Sequence, residues 1–395
     1  MEITKDVVAG KKDKGDIEIT LSSLTKRGTE IILESSVEKL FGNHLRAFIK
    51  AFLSEMDVAQ CGVKALDDGA LDFVIKSRLE AALYKQDKTV LERFSTGKRK
   101  KKNGKIKLRR TRSYVPGNNP HLIENAGLFG ADVVILDLED GVSQNEKIDA
   151  RFLVRNTLST VDFGESEVIV RLNPFTNRGE DDLKTVFPSL PDAIMLPKTN
   201  RAEDIKRLEN LLDEEEEKNS IPLGRTKIFP LIESAEGVIN AYTIARSSER
   251  NVMLVFGAED FTADIGVEKS KEGRELFFAR TQIVLAAKAA GIQASDTVYS
   301  DFGDVEGLIK DTQLSKSLGF DGRGVIHPLQ IEHIHNVYKP TSEEVDYAKR
   351  VVAAFEDAKT KGKGVASLGR KMIDAPVVKR ARRVLALTKR YDRLK

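Results

Sequence analysis

The sequence contains very little cysteine and no long hydrophobic run. Its 395 residues include one cysteine, Cys61, so no intrachain disulfide can form, and a reduced, apolar role is expected for it. No apolar stretch approaches the roughly 18 residues of a membrane span, and the polar N-terminus lacks the apolar segment of a signal peptide. These absences predict a soluble, cytoplasmic protein with no membrane partner.

An excess of charge of one sign is also missing. Lys and Arg number 64 against 61 Asp and Glu, so the net charge is only +3 and implies no polyanionic partner. The exception is Lys98–Arg112, which holds ten basic residues and no acid. The like charges in such a run repel one another and disfavour a packed structure, so the run predicts a linker at residues 98–111. Its possible roles are a solvated tether, attraction of a phosphorylated cofactor and binding of nucleic acid. The lack of interleaved aromatic residues disfavours nucleic acid.

Residues 1–97, ahead of this basic run, have the pattern of a small α+β domain. Ser35 with Glu38 three residues later predicts a capping box at the start of its first helix. The predicted elements are strands at Asp16–Leu21 and Glu30–Glu34, a helix from Phe41 through Phe52, and, after a turn at Asp67–Gly69, a helix from Leu71 through Leu83.

Residues 112–340 alternate between short apolar runs and helical patterns. Eight such units favour a (β/α)8 TIM barrel over an open doubly wound sheet, and no G-x-G-x-x-G motif supports dinucleotide binding. The predicted strands are Ser113–Val115, Val133–Leu138, Val168–Leu172, Ala193–Leu196, Ile228–Ile232, Val252–Phe256, Thr297–Tyr299 and Gly324–Ile326. The helical patterns include Ala202–Leu212, Gly237–Arg246 and Glu275–Ala290.

Residues 341–395 form a C-terminal helical extension. An amphipathic helix is predicted over Ser342–Thr360, and a second helix begins near Pro376. The segment Val365–Asp374 between them is a plausible lid over the barrel mouth.

Two carboxylates stand where apolar runs end, Glu233 after the fifth predicted strand and Asp260 after the sixth. Catalytic groups of α/β proteins gather at the carboxyl ends of the strands. Two carboxylates at one mouth repel each other unless a cation lies between them. Because no Cys/His ligand cluster is present, the pair predicts a hard divalent metal, Mg²⁺.

Other polar residues follow the strands in order and strengthen this interpretation. Arg112, Arg171 and Lys198 are expected to face the same mouth, where cations suit an anionic substrate that bears carboxylates. Simpler roles stay open at each position, such as helix capping by an acid or neutralisation of Glu139 or Asp140 by Arg171. The remaining strand-end residues are Asn118, Glu139, Asp140, Asn173 and His327, and a packing role for His327 is an equal alternative.

Together these motifs resemble the citrate lyase β-subunit family (HpcH/HpaI aldolase-like), to which malyl-CoA and citramalyl-CoA lyases belong. The resemblance runs from about Arg109 to the C-terminus. It implies a TIM barrel, Mg²⁺, trimer-based assembly and reversible carbon–carbon cleavage of a 3-hydroxyacyl thioester. The residues that carry it are Arg112–Asn118, Leu136–Asp140, Arg171–Asn173, Leu196–Lys198, Leu231–Ser234, Gly257–Asp260 and Gly324–Pro328.

The N-terminal piece resembles the citrate lyase γ subunit, an acyl carrier protein, through Val8–Gly10, Ser35–Gly42 and Asp67–Asp72. That family carries a CoA-derived group on a serine in the loop after Ala-Gly, and Lys14 stands at the matching position here. An amine cannot form the phosphodiester. The resemblance therefore implies no covalent prosthetic group and a substrate that arrives as free acyl-CoA.

The resemblance also assigns roles to individual residues. Glu233 and Asp260 bind the metal, Arg171 stabilises oxyanion charge, and Asp374, in a motif that the family places on a neighbouring subunit, is the acid/base. Glu139 and Asp140 orient metal-bound water or cations. Substrate or CoA contacts fall to Arg112, Asn118, Asp140, Asn173, Lys198 and His327.

The expected assembly is a homotrimer or hexamer, with a citrate lyase α-type subunit as a further partner and no nucleic acid. Two alternative functions stay open: citrate lyase β activity on a citryl thioester borne by a separate carrier, and a non-catalytic scaffold subunit.

Overall fold

The chain builds a small sheet domain, a closed barrel and a pair of C-terminal helices. A computed structural model describes residues 1–99, 108–362 and 364–391, with residue 390 described by its backbone alone. The barrel closes from eight parallel strands, which confirms the predicted (β/α)8 fold after a small α+β domain. Most of the predicted basic linker, residues 100–107, lies outside the described residues.

The N-terminal domain is a four-stranded sheet covered by two helices. Its strands lie in the order β1-β2-β4-β3, with β3 and β4 parallel and the other pairs antiparallel. The elements are β1 (Val7–Ala9), β2 (Ile17–Ser22), β3 (Gly28–Ser35), α1 (Glu38–Glu55), β4 (Gln60–Asp67) and α2 (Asp72–Gln86).

Two features of this domain differ from expectation. Strand β4 has no counterpart among the predicted elements, although it pairs with both β2 and β3. The predicted capping box is wrong, because α1 begins after Val37 with no side-chain cap. The Ser35 hydroxyl instead donates to Asp67 Oδ2 at 2.6 Å, and Glu38 pairs with Arg46. The end of β4 thus binds the hydroxyl that was expected to cap the helix.

The barrel strands are β5 (Thr111–Pro116), β6 (Val133–Asp137), β7 (Glu167–Arg171), β8 (Ala193–Leu196), β9 (Lys227–Ile232), β10 (Met253–Phe256), β11 (Gln293–Asp296) and β12 (Gly322–Val325). Pairing of β12 with β5 closes the ring. Apolar residues such as Ile135, Met195 and Phe229 are fully buried and form one cluster built from the strands.

The surrounding helices are α3 (Pro120–Asn125), α4 (Lys147–Thr160), α5 (Gly179–Val186), α6 (Ala202–Lys218), α7 (Ala235–Ile239), α8 (Ala241–Arg246), α9 (Ala258–Asp264), α10 (Phe277–Ala290), α11 (Val305–Leu318) and α12 (Leu329–Tyr338). The single helix predicted over Gly237–Arg246 is therefore two helices that meet at Asn240.

The seventh strand was predicted at Thr297–Tyr299 but lies at Gln293–Asp296. This strand has no apolar run. Its Ser295 hydroxyl accepts a hydrogen bond from Arg112 at 2.6 Å, and Asp296 pairs with Arg280 at 3.2 Å, so buried polar partners satisfy it. Hydrophobic patterning cannot find such a strand.

The C-terminal extension contains α13 (Ser342–Thr360), the hairpin β13 (Ala366–Leu368) and β14 (Lys371–Ile373), and α14 (Ala375–Tyr391). The predicted bounds of α13 are confirmed. These elements share an apolar cluster of their own.

The N-terminal domain is docked on barrel helix α4 through a set of contacts that we name the junction cluster: Asp16, Arg78, Lys85 and Asp149. Arg78 donates to both Asp16 oxygens at 2.8 Å and to the Asp149 carbonyl at 3.1 Å. The Asp149 carboxylate accepts from Gly10 N at 2.9 Å and pairs with Lys85 at 2.5 Å. All four charges are paired within the cluster, which fixes the domain to the barrel.

Apolar and amide contacts extend this junction along α4. Phe152 of the barrel belongs to the apolar core of the N-terminal domain, with its ring 5.2 Å from Tyr84 and 5.7 Å from Phe94. Asn156 donates to Glu80 Oε2 at 2.7 Å in the buried contact between the two domains.

Over the residues that the structure describes, no helix is long and apolar enough to cross a membrane.

Candidate active site

Charged residues at the carboxyl ends of β6 to β10 converge on one mouth of the barrel. Asp137 and Arg171 end β6 and β7, Lys198 follows β8, Glu233 follows β9, and Asp260 lies in the first turn of α9. Glu139 and Asp140 belong to the loop after β6. We name these seven residues the mouth cluster.

Arg171 is held in a fixed orientation by its neighbours. Its Nε and Nη2 donate to the two Asp137 oxygens at 2.6 and 2.7 Å, while Nη1 lies 2.7 Å from Glu139 Oε2 and 3.1 Å from Asp140 Oδ2. The guanidinium carbon stands 5.1 Å from the ring centre of Tyr114. One buried cation therefore serves three acids.

The neighbouring acids Asp137 and Glu139 titrate differently. Burial raises the pKa of Glu139 to about 8, and the attraction of Arg171 only partly opposes this. Burial also acts on Asp137, but its pairing with Arg171 and its bonds from Glu139 N and Gly141 N, both 2.9 Å, hold that pKa below its usual value. Asp137 is thus ionised at neutral pH, whereas Glu139 can hold a proton there.

Lys198 stands among three carboxylates. Its Nζ lies 2.8 Å from Asp260 Oδ1, 3.9 Å from Glu139 Oε1 and 4.0 Å from Glu233 Oε1. Its backbone N–H donates to Glu233 Oε1 at 2.6 Å from a strained backbone with φ 50°. Glu233 and Asp260, the two predicted mouth acids, thus both lie within 4.0 Å of one ammonium group.

Glu233 and Asp260 fit a magnesium site. Burial, with the Asp260 charge second, raises the pKa of Glu233 to about 7, and the Lys198 charge only partly opposes this. A Cβ at Gly257 would lie 2.8 Å from Glu233 Oε2, so glycine leaves this carboxylate room. The described ranges contain no group of three or more His, Cys, Asp or Glu in metal-binding arrangement. Two carboxylates completed by substrate and water is a donor set that Mg²⁺ accepts.

Two predicted site residues, Arg112 and Asn173, are buried and hydrogen-bonded to barrel residues. Arg112 is completely buried and donates to the Ser295 hydroxyl at 2.6 Å and to the Asp296 carbonyl at 2.8 Å. It lies early in β5, inside the barrel. Asn173 is also buried, and its Nδ2 donates to Asp182 Oδ2 at 2.7 Å. Arg112 also lies 3.4 Å from the hydroxyl of Tyr114, the ring that stands under Arg171. The side chains of Arg112 and Asn173 are thus bound to barrel residues, and a contact of either with substrate stays a prediction.

Two other predicted site residues, Asn118 and His327, lie at the rim of the mouth but do not contact the mouth cluster. Asn118 donates from Nδ2 to Glu146 Oε2 at 2.9 Å, and its carbonyl accepts from Arg78 at 3.4 Å, so it faces the junction. His327 stacks on Phe302 with ring centres 5.0 Å apart. The structure therefore supports the packing alternative for His327.

Asp374 does not cover the mouth of its own barrel. Its Oδ1 accepts from Val377 N at 3.1 Å and caps α14. Further along this helix, Arg383 pairs with Asp321 at 3.2 Å, and Arg110 stacks on Tyr391 at 4.8 Å. Asp321 immediately precedes β12, and Arg110 immediately precedes β5. Both therefore lie at the amino ends of the strands, so α14 contacts the end of the barrel opposite the mouth. The described residues of the C-terminal extension therefore form no lid over the mouth of their own barrel.

Sequence reasoning missed three supporting residues. Asp137, the last residue of an apolar run, orients Arg171, and the strand-end rule could have selected it. Tyr114 provides the ring under Arg171. Lys147 donates to the carbonyls of Leu138 and Glu139 from the first turn of α4, and no sequence pattern indicates that contact.

Comparison with known proteins gives matches on both sides of the basic run. Residues 110–328 match the HpcH/HpaI aldolase/citrate lyase family. Residues 4–86 match an acyl carrier family described as malonate decarboxylase delta subunit (MdcD). Both predicted resemblances, a lyase barrel and a fused carrier domain, are confirmed.

Individual relatives cover about 71% of the chain. The chain is 46% identical over 282 residues to citrate lyase subunit beta of Leuconostoc mesenteroides subsp. cremoris, covering 71% of this chain and 93% of that protein. It is 36% identical over 296 residues to mitochondrial citramalyl-CoA lyase of Homo sapiens, covering 71% and 85%. The crystal structure of Mycobacterium tuberculosis CitE with magnesium, acetoacetate and coenzyme A has a TM-score of 0.60 at 30% identity, covering 71% of this chain and 98% of that one.

Proposed function

The chain belongs to the HpcH/HpaI aldolase/citrate lyase family, and on this premise we propose that it is a Mg²⁺-dependent carbon–carbon lyase. It cleaves a 3-hydroxyacyl thioester of the citryl-, malyl- or citramalyl-CoA type to a 2-oxoacid and a short acyl thioester, or joins them in reverse. The observation that carries the proposal is that Glu139, Glu233 and Asp260 all lie within 4.0 Å of Lys198 Nζ. Glu139 also contacts the guanidinium of Arg171, which Asp137 holds in place.

Glu233 and Asp260 are proposed as the metal ligands from the protein. Bound Mg²⁺ would supply Lewis-acid polarisation of the carboxylate, hydroxyl and carbonyl oxygens of the 2-oxoacid portion. The structures of relatives that hold magnesium together with coenzyme A or oxaloacetate support this choice of metal and of substrate class.

The remaining mouth residues are proposed to stabilise substrate charge, to hold a proton and to bind a substrate carboxylate. Arg171 stabilises negative charge that develops on the substrate oxygen, because Asp137 keeps its guanidinium aimed at the mouth. Glu139 is proposed to hold a proton near neutral pH, and Asp140, the more exposed acid, to orient water or cations. Lys198 is proposed as a contact for a substrate carboxylate.

The other predicted substrate contacts act mainly through neighbours. Arg112 positions β11 beside the mouth, Asn173 positions the loop after β7 through Asp182, and Asn118 and His327 line the rim. We assign Arg112 and Asn173 as positioning residues, since the side chains of both are bound to barrel residues.

Asp374 is proposed to act as acid/base on a neighbouring subunit. The hairpin that precedes it exposes Met372 by 66%, which suits insertion against another surface. A homotrimer or hexamer would provide that surface, and a citrate lyase α-type subunit is a further proposed partner.

The proposal includes free acyl-CoA as the substrate and no covalent group at Lys14. It keeps the domain boundaries at 1–97, 98–111, 112–340 and 341–395. Cytoplasmic location is part of the proposal, since the free Cys61 is buried in the N-terminal core and suits a reducing compartment.

The test is an assay of citryl-, malyl- and citramalyl-CoA with Mg²⁺ and with EDTA. We expect Mg²⁺-dependent release of a 2-oxoacid from at least one thioester, without release of free CoA thiol. Thiol release without 2-oxoacid would indicate thioester hydrolysis instead. No turnover of any of the three would favour the scaffold alternative, and activity restored only by a separate acyl carrier would favour carrier-bound substrate.

A further inference from the structure

We propose that the loop from Gly10 to Asp16 in the carrier-like domain binds the phosphate groups of free acyl-CoA at the rim of the barrel mouth. We name Lys11, Lys12 and Lys14 the lysine loop. The inference rests on the proposed function, because it takes an acyl-CoA as the substrate.

The loop is rigidly placed by the junction. At one end Gly10 N donates to Asp149 Oδ2 at 2.9 Å, and at the other both oxygens of the buried Asp16 carboxylate are bound by Arg78. Gly15 N donates to the Asp68 carbonyl at 2.9 Å. Gly10 has φ 77°, and a Cβ there would lie 2.1 Å from the Ile17 carbonyl oxygen, so the tight turn requires glycine.

The lysine loop lies beside the mouth. Lys11 Nζ is 3.4 Å from Glu146 Oε1, and the other Glu146 oxygen accepts from Asn118, which follows β5. The next residue, Lys147, donates to the carbonyl of Glu139. The start of α4 therefore connects the lysine loop directly to the backbone of the mouth cluster.

The loop offers positive charge that its neighbours do not neutralise. Asp13 and Glu146 both lie near Lys11. Lys12 and Lys14 are exposed and form no ion pair with any residue that the structure describes. Arg178, also exposed, donates to the Gln144 carbonyl at 3.3 Å on the same side of the mouth. These three cations face solvent at the rim.

The chemistry of the loop selects a phosphorylated ligand bound without a covalent bond. Residues 10–16 contain no serine or threonine, so no hydroxyl is available there for a phosphodiester. In an acyl-CoA the reacting thioester and the phosphates lie at opposite ends of one flexible arm. A thioester held at the mouth cluster would bring the phosphates to the rim, where ammonium groups bind them.

The test compares Lys12→Ala/Lys14→Ala with the unchanged full-length chain. Calorimetry should show CoA binding weakened roughly three- to twenty-fold, as expected for loss of two exposed charge contacts. The KM for the active acyl-CoA should rise by the same factor, and this factor should shrink at high ionic strength. The matching pantetheine thioester, which has no phosphate, should show no change in KM.

The matched control is Lys39→Ala/Lys50→Ala, which removes the same charge from exposed positions on α1. CoA affinity should be unchanged in this control. Unaltered CoA binding in the Lys12/Lys14 variant, or an equal loss for CoA and pantetheine thioesters, would overturn the inference while leaving the lyase proposal intact. Lysine-dependent CoA binding with no turnover of any thioester would instead remove only the proposed function.

Discussion

The mouth cluster and the junction cluster use the same residue types but differ in charge balance. At the mouth, five carboxylates surround the two cations Arg171 and Lys198. At the junction, Arg78 and Lys85 pair with Asp16 and Asp149, and backbone N–H groups complete the bonding. The mouth cluster therefore has more carboxylates than cations, whereas the junction cluster has equal numbers of both.

This difference separates a binding site from a structural contact. Excess acid in a buried mouth raises the pKa of Glu139 and Glu233 and favours a divalent cation. A balanced pair with fixed geometry resists ligand binding and holds two domains together. The carrier-like domain is held on α4 by the pair of Lys85 with Asp149 and by the bond from Arg78 to the Asp149 carbonyl.

The largest expected effect is at the mouth. Asp260→Ala should lower Mg²⁺-dependent turnover on the order of 10³-fold, equivalent to about 4 kcal/mol of transition-state stabilisation, because it removes one of the two proposed metal ligands. Calorimetry with Mg²⁺ and thermal unfolding should show weakened binding and an intact fold. The control Glu259→Ala changes the adjacent acid, which pairs with Lys269 outside the cluster. Full activity in Asp260→Ala would contradict the metal assignment.

The junction should respond in stability. Arg78→Ala leaves the buried Asp16 carboxylate without its cation and should lower the free energy of unfolding by about 3–4 kcal/mol. Urea unfolding monitors this directly. Arg46→Ala breaks an exposed pair with Glu38 in the same domain and should cost less than about 1 kcal/mol. A similar small loss for both variants would show that the junction is not a structural contact.

The pH dependence should distinguish the two clusters as well. Because the folded pKa of Glu233, about 7, lies above the ordinary value, metal-free protein should lose stability as pH rises from about 4.5 through 7. A pKa raised from 4.5 to about 7 corresponds to about 3.5 kcal/mol of stability from Glu233, at about 1.4 kcal/mol per pH unit. Urea unfolding in EDTA between pH 5 and 9 measures it.

Two controls sharpen that experiment. Glu233→Gln should remove the Glu233 part of the pH dependence and leave the part from Glu139, whose pKa of about 8 is also raised. Excess Mg²⁺ should restore stability most strongly at high pH, where the Glu233 carboxylate is ionised and can bind it. An unchanged pH profile in Glu233→Gln would show that burial does not perturb this acid.

The smallest effect is expected at Asn173, whose amide binds Asp182. Asn173→Ala should cost about 1 kcal/mol of stability and leave the KM for substrate within about two-fold, because Asp182 keeps its pairing with Arg151. Lys198→Ala, at the mouth, should raise the KM under the same conditions. A larger rise in KM for Asn173→Ala than for Lys198→Ala would restore Asn173 as a direct substrate contact.

The strand-end rule predicted much of the mouth from sequence. Parallel strands in a closed barrel end at one mouth, so Arg171, Lys198, Glu233 and Asp260 follow from where apolar runs stop. The rule does not tell how deep a side chain lies, and Arg112, near the start of β5, is completely buried. It failed for β11, since a strand satisfied by buried polar partners lacks the apolar signature.

The sequence by itself determined the fold class, the two joined families and the acids that meet at the mouth, because local hydrophobic period and strand order carry that information. The tertiary structure alone decided that Arg112 is internal, that α14 lies opposite the mouth and that the carrier-like domain is immobilised with its lysines at the rim. These outcomes depend on contacts such as Arg78 with Asp16 and Asp149, which join residues 62 and 71 positions apart. No local pattern encodes which distant partner a buried charge selects.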